Sequence, residues 1–161
     1  MNAREPHVVG LISDTHGLIR PDVHTALAGV EMILHAGDVG GRAVLEALSR
    51  IAPVHAVYGN VDDAHDPALA RERAMTIGGV TIHVSHGHEI GRPAPQLVLA
   101  SYSGDVVMFG HTHRSVMLRD DRGRLAINPG AAGPRRFDVQ PSVARLTIRE
   151  GAADAEIISL A

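Results

Sequence analysis

Gly110-His111-Thr112-His113 places two imidazoles at i and i+2, directly after the apolar run Val106-Val107-Met108-Phe109. Such a run reads as the end of a buried strand. The glycine lets the chain turn out of the sheet. In an extended or tightly turning segment both rings can then enter one site. Two imidazoles delivered from a rigid strand end suit a metal centre.

One such pair is a weak signal, but the arrangement recurs along the chain. Asp14-Thr15-His16-Gly17 follows the apolar run Val8 to Ile12, and Gly37-Asp38 follows Met32-Ile33-Leu34. Gly59-Asn60-Val61-Asp62 follows Val54 to Tyr58, and His86-Gly87-His88-Glu89 follows Val80 to Ser85. Singly, each has a plain reading: Asp14 as a helix cap, Asn60 as a turn residue. Together, five strand ends each carry Asp, Asn or His beside a glycine. Ligands in open α/β folds collect outside the carboxyl ends of parallel strands, so the recurrence points to one site.

The elements that must deliver these residues can be read from periodicity. Residues 7–13, 31–34 and 54–58 read as strands. Helices over 21–28 and from Gly40-Gly41 to Pro53 lie between them, the second with Val44, Leu45, Leu48 and Ile51 on its apolar face. That β-α-β-α-β order predicts a parallel sheet with right-handed crossovers. Residues 63–73 read as a surface helix or a capped loop. Gly78-Gly79 predicts a hairpin between 74–77 and 80–85. A helix follows over 93–102 with Leu97, Val98 and Tyr102 on one face. A second hairpin joins 115–118 to 125–127 through Asp120-Asp121-Arg122-Gly123, and residues 142–149 alternate as a strand with one wet face. A last strand is expected over 155–160. No repeat or linker divides the chain, so residues 1–161 are expected to form a single domain.

The combined donor set is Asp14, His16, Asp38, Asn60, His86, His111 and His113. Imidazole with oxygen donors and no sulfur suits manganese, iron, zinc, nickel or cobalt. Seven donors exceed what one ion needs. Two ions about 3.5–4 Å apart, sharing a carboxylate and a water, would use them all, and such a pair suits phosphoester hydrolysis by water.

Composition excludes several other chemistries. The chain has 161 residues and no cysteine, so disulfides and thiolate zinc sites are absent. All of its Lys+Arg are arginine, which removes a Schiff-base or Walker-type lysine. Hydrophobic residues make up 45% and aromatics 2%, predicting an aliphatic core without base-stacking platforms. A net charge of -3 with no basic run argues against a stable nucleic-acid partner. Residues Met1 to His7 are polar, no leader pattern follows, and no run reaches membrane-spanning length. A cytoplasmic location is expected.

Asp14-Thr15-His16, Gly37-Asp38, Gly59-Asn60, His86-Gly87 and Gly110-His111-Thr112-His113 resemble, in order, the five blocks of the calcineurin-like metallophosphoesterase superfamily. The compact length, Gly59-Asn60-Val61-Asp62 and Asn128-Pro129-Gly130 resemble its smallest branch, the YfcE-type phosphodiesterases. The resemblance implies a four-layer αββα sandwich of two mixed sheets flanked by helices. It implies that Asp14, His16, Asp38 and His113 hold one divalent ion. Asp38, Asn60, His86 and His111 would hold the other, with Asp38 bridging. Manganese is the first expectation. The implied reaction is attack of a bridging hydroxide on a small phosphoester, nucleotides among the candidates, with Asn60 steadying the phosphoryl oxygens.

One position departs from the larger members, which carry a histidine after the Asn of the third block; here it is Val61. Asp62, His88 or metal-bound water are the candidates for the proton donor. His88 and Arg136 are further candidates for substrate contact, against plainer readings as a supporting histidine and a solvated arginine. A non-catalytic role is the alternative, because the retromer complex contains an interaction module of this fold with a degraded site. The intact ligand set here favours catalysis.

Overall fold

The computed structural model describes residues 5–136 and 138–161. Residues 1–4, the start of the polar N-terminal stretch, lie outside the described residues.

Three apolar runs form the first strands, β1 (His7–Ile12), β2 (Met32–His35) and β3 (Val54–Val57). They pair in parallel in that order, and a two-residue strand, β4 (Leu69–Ala70), extends the sheet beyond β3. The helices between them are α1 (Asp22–Ala26) and α2 (Arg42–Ser49). On the other side β1 pairs antiparallel with β10 (Ser142–Arg149), which pairs antiparallel with β11 (Ala152–Ser159). The first sheet therefore runs β11-β10-β1-β2-β3-β4.

The second sheet runs β5-β6-β7-β9-β8, with β5 (Glu72–Ile77), β6 (Val80–Ser85), β7 (Val106–Met108), β8 (Val116–Arg119) and β9 (Leu125–Asn128). The β5–β6 hairpin turns at Gly78-Gly79, where both residues have positive φ as the tight loop requires. Strands β6, β7 and β9 are parallel, and β8 closes one edge antiparallel to β9. Both sheets are mixed.

Alternation along the strands builds three apolar layers. Between the sheets, Val9, Leu11, Leu34 and Leu146 meet Ile82, Val84, Met108 and Ile127. On the outer face of the first sheet, Val23 and Leu27 near α1 and Val44 and Leu48 of α2 pack on Ile12, Ile33 and Ala56. On the outer face of the second, Val98 and Leu99 of α3 (Pro95–Ser101) pack on Val107, Phe109 and Ala126. This is the αββα order, with an almost wholly aliphatic interior.

Strand β10 keeps its wet side partly dry: the Arg145 guanidinium donates to the Ala26 and Ala28 carbonyls at 3.0 and 2.8 Å, satisfying the end of α1. Of the two expectations for residues 63–73 the capped loop is found over 63–68, whereas the apolar face expected for α3 is corrected. Residues 63–68 form no helix; Asp63 and Asp66 accept the backbone N–H of His65 and Ala68, making a capped loop. Leu97 is 42% exposed, since α3 turns Val98 and Leu99 to the sheet instead. Among the described residues no helix is long and apolar enough to cross a membrane.

Candidate metal centre

The parallel pairing of β1 and β2 continues past the strands. Asp14 N–H donates to Gly37 O at 2.9 Å, His16 N–H to Asp38 O at 3.0 Å and Gly17 N–H to Val39 O at 2.9 Å. This ladder sets Asp14 and His16 beside Asp38. In the second sheet, Gly110 N–H donates to His86 O at 3.1 Å, joining the loops after β6 and β7. The sheets meet where His111 N–H donates to Asp14 Oδ2 at 3.1 Å. Gly110 makes that approach possible, since a Cβ there would sit 2.2 Å from Ser13 Oγ and 2.6 Å from Asp14 Oδ2.

The backbone at this junction is held in a sparsely populated region. Asp14, His16, Asp38, His111 and His113 all have positive φ, between 45° and 73°. Side-chain-bearing residues adopt that region infrequently, Asp and His more often than most, and such residues cluster at functional sites. Five of the seven candidate donors share it.

The side chains converge in two groups, Asp14/His16/His113 and Asp38/His86/His111, within each of which the ligating atoms lie within 4.8 Å of one another. Asp14 Oδ1 is 3.3 Å from His113 Nε2 and 3.8 Å from His16 Nε2. Asp38 Oδ2 is 3.3 Å from His86 Nε2 and 3.6 Å from His16 Nε2. One oxygen of Asp38 therefore faces both groups. Asn60 Oδ1 completes the second group at 3.0 Å from His86 Nε2 and 3.2 Å from His111 Nδ1.

This donor set fits cations. Asp14 Oδ1 and His16 Nε2 are buried and have no hydrogen-bond partner. His86 Nδ1 lies 2.8 Å from the Ala36 carbonyl, an oxygen that can only accept. The N–H of a neutral His86 is thereby fixed on Nδ1, and the Nε2 lone pair faces the Asn60 amide oxygen. Lone pairs gathered at 3.0–3.3 Å repel unless a proton or a metal ion lies among them.

The charges agree. Burial works to raise the Asp14 carboxyl, but His113, His16 and the charge of His86 outweigh it and hold that carboxyl well below the usual range. Asp38 is likewise lowered: burial opposes ionisation, and His86 with the Val61 N–H outweighs it. His86 is raised despite its burial, because Asp38 and Asp14 surround it with negative charge. Burial, then His86, lowers His111. Ionised carboxylates and a His111 that favours its neutral form are the states metal binding needs, and the negative charge that favours a proton on His86 is what a cation there would answer.

Several further residues support the donors. Gly37 N–H donates to His35 Nδ1 at 3.1 Å, which leaves the His35 Nε2–H to donate to Thr15 Oγ1 at 2.9 Å; Thr15 in turn donates to Val39 O at 2.7 Å. That chain is buried and pins the loops after β1 and β2 together. Ser13 Oγ donates to Asp14 Oδ2 at 2.6 Å. Asn128 donates to Gly110 O at 3.2 Å and Thr112 Oγ1 at 3.0 Å, bracing the His111–His113 turn. A small hydroxyl next to a ligand was the only available signal for Ser13 and Thr15.

The remaining candidates lie around this cluster. Asp62 accepts Val39 N–H at 3.0 Å and Gly59 N–H at 2.9 Å on Oδ2, and Gly40 N–H at 3.1 Å on Oδ1. Both oxygens are turned to backbone donors, so Asp62 clasps the loops after β2 and β3 and is not aimed at a leaving group. The His88 ring lies 5.3 Å from that of His86 and 6.4 Å from that of His111, at the edge of the cluster. Arg136 is exposed and its guanidinium has no hydrogen bond to the described residues; the strand of loop leading to it runs against the site through Gly133 N–H to Asp14 O at 3.2 Å.

Residues 8–151 match the calcineurin-like phosphoesterase superfamily domain, and the chain belongs to that family. A probable metallophosphoesterase of Methanothermobacter thermautotrophicus is 35% identical over 160 residues, covering 94% of this chain and 91% of that protein. A phosphodiesterase of Methanocaldococcus jannaschii is 28% identical over 140 residues, covering 76% of this chain and 82% of that protein. Among solved structures, a single-substitution form of Vps29 from Entamoeba histolytica has a TM-score of 0.78 at 23% identity, covering 96% and 99% of the two chains. At that identity the likeness concerns the fold.

Proposed function

We propose that the chain is a phosphodiesterase that hydrolyses small phosphoesters with two divalent transition-metal ions, manganese foremost. The observation that carries this reading is Asp38 Oδ2, which lies 3.6 Å from His16 Nε2 and 3.3 Å from His86 Nε2 and so stands between two donor groups. Family membership and the names of the relatives support it.

Asp14, His16, Asp38 and His113 would hold one ion; Asp38, Asn60, His86 and His111 would hold the other. Bound there, two such ions supply Lewis acidity toward a phosphoryl group and acidify water at neutral pH. The protein's own part is placement. His86 is oriented by the Ala36 carbonyl, Asn60 presents its oxygen to the His86 and His111 rings, and the buried His35–Thr15 chain fixes the loops. Val61, 57% exposed, stands where larger members carry a histidine. With Asp62 committed to backbone N–H groups and the His88 ring at the edge of the cluster, no described side chain outside the donor set is assigned to protonate a leaving alcohol. Aryl esters, whose leaving groups need no acid, are therefore the faster substrates.

The test strips the protein of metal and re-supplies manganese, nickel, zinc and magnesium separately, with an aryl and an alkyl phosphodiester as substrates. Metal-restored turnover, faster on the aryl ester and lost in Asp38→Asn and His111→Ala, is expected. A chain that carries two ions and turns over neither ester would overturn the enzyme reading for this substrate class and favour the interaction-module alternative.

A further inference from the structure

A cavity on the outer face of the second sheet lies beside the candidate metal centre. Its volume is about 220 Å³, and Ser85, His88, Glu72, Tyr102, Arg71 and Glu89 are in its wall. His86 borders it too, so the cavity and the second donor group share a side.

Two polar atoms of this wall, Ser85 Oγ and His88 Nδ1, are buried without a hydrogen-bond partner. Ser85 is only 5% exposed, so its hydroxyl has surrendered most of its water for nothing visible in return. Unpaired buried polar groups that line a cavity are what a ligand with its own donors and acceptors would satisfy. The charges say which ligand. Arg71 donates through Nε and Nη2 to both oxygens of Glu89, so its charge is already matched. Glu72 faces His83 Nε2 at 3.6 Å and His86 also borders the cavity, so the charges of the wall are close to balanced and favour neither an anion nor a cation. Tyr102, stacked on His83 with ring centres 4.4 Å apart, supplies a flat, largely apolar side. The volume is below the roughly 300–1,000 Å³ of drug-sized ligand sites. It suits a group of roughly three to five carbons rather than a hydrated nucleoside.

We propose that this cavity is a subsite for the alcohol arm of the substrate, and that the arm is an uncharged polyol of glycerol to pentose size. The proposal rests on the phosphodiesterase reading and names its substrate class: phosphodiesters of small polyhydroxy alcohols. A hydroxyl both donates and accepts, so vicinal hydroxyls can meet Ser85 Oγ and His88 Nδ1 whichever tautomer His88 adopts. Ser85 touches no reacting atom; it selects the arm.

The test compares 4-nitrophenyl phosphodiesters that differ only in the second arm, glyceryl, propyl or aminopropyl, with the manganese-loaded protein. The expected result is a kcat/KM about tenfold higher for the glyceryl than for the propyl ester, as one or two gained hydrogen bonds provide. Ser85→Ala brings that ratio close to one. A wild-type ratio near one overturns the proposal and requires no variant to fold. A ratio unchanged in Ser85→Ala overturns it as well, and so does a preference for the aminopropyl arm, which would make this a cation site. Turnover of the propyl ester shows the phosphodiesterase reading standing whatever the ratio. No turnover of any of the three esters by the two-ion protein removes that reading and the subsite together.

Discussion

Gly59→Ala isolates the contact on which the shared carboxylate depends. Gly59 is not among the glycines with positive φ, so no left-handed strain opposes alanine there and the conflict is one of space. A Cβ there would stand 2.1 Å from Asp38 Oδ1 and 2.4 Å from Asp38 N, whereas real Cβ contacts essentially never fall below 3.0 Å. The carboxyl can rotate, but the backbone nitrogen cannot, so Asp38 must retreat by roughly 1 Å. Overpacking of this kind costs about 1–3 kcal/mol. In a chain of this size that lowers the Tm by roughly 2–12 °C. A displacement of about 1 Å in a positioned catalytic group costs roughly a hundredfold in rate, and disturbed ligand support costs about 10–100-fold in metal affinity. Calorimetric titration with manganese and thermal unfolding in chelator read the two effects separately. Gly79→Ala is the contrast: its φ of 82° strains an alanine, yet nothing lies within 4 Å of the added Cβ. It should lower the Tm and leave metal affinity intact. Unchanged manganese binding in Gly59→Ala would refute the packing argument.

Asp62→Ala removes the acceptor of three backbone N–H groups, and a stability loss of about 2–3 kcal/mol is expected from charged hydrogen bonds at a half-buried site; manganese affinity should fall about 10–100-fold, with Asp62→Asn intermediate, as melting curves and calorimetry would show. The buried His35 has its pKa pushed down to about 4 from 6.5, chiefly by desolvation, so acid favours the unfolded chain, which takes up that proton first. Stability of the metal-free protein from this group is full above about pH 6.5 and is lost as the pH falls to about 4, by roughly 3 kcal/mol. Denaturant unfolding across that range should show a smaller acid loss for His35→Gln than for the wild type, and parallel losses would contradict it.

Much of the site was legible because strand ends are legible. The apolar runs before Asp14, Asp38, His86 and His111 end where β1, β2, β6 and β7 end, within a residue or two. The residues just beyond a parallel strand must then gather at one edge. What was not legible depends on contacts between loops distant in sequence. The Asp62 clasp joins residues 22 or 23 positions apart, and Thr15 meets His35 across 20 positions. Neither leaves a local periodicity. The positive φ of five candidate donors was equally hidden, since Asp and His carry no such signature as glycine does. Strand β4 is too short, at two residues, to show alternation. The face of α3 was misread because Leu97, Val98 and Leu99 are all apolar, and only packing against Phe109 and Ala126 selects the last two.

In the proposed site one carboxylate, Asp38, would join two metal ions into a single centre. Electron paramagnetic resonance of the protein loaded with two equivalents of manganese tests it directly. An exchange-coupled pair that becomes the spectrum of isolated ions in Asp38→Asn is the predicted result. Isolated ions already in the wild-type protein, or a single bound ion at saturation, would contradict it.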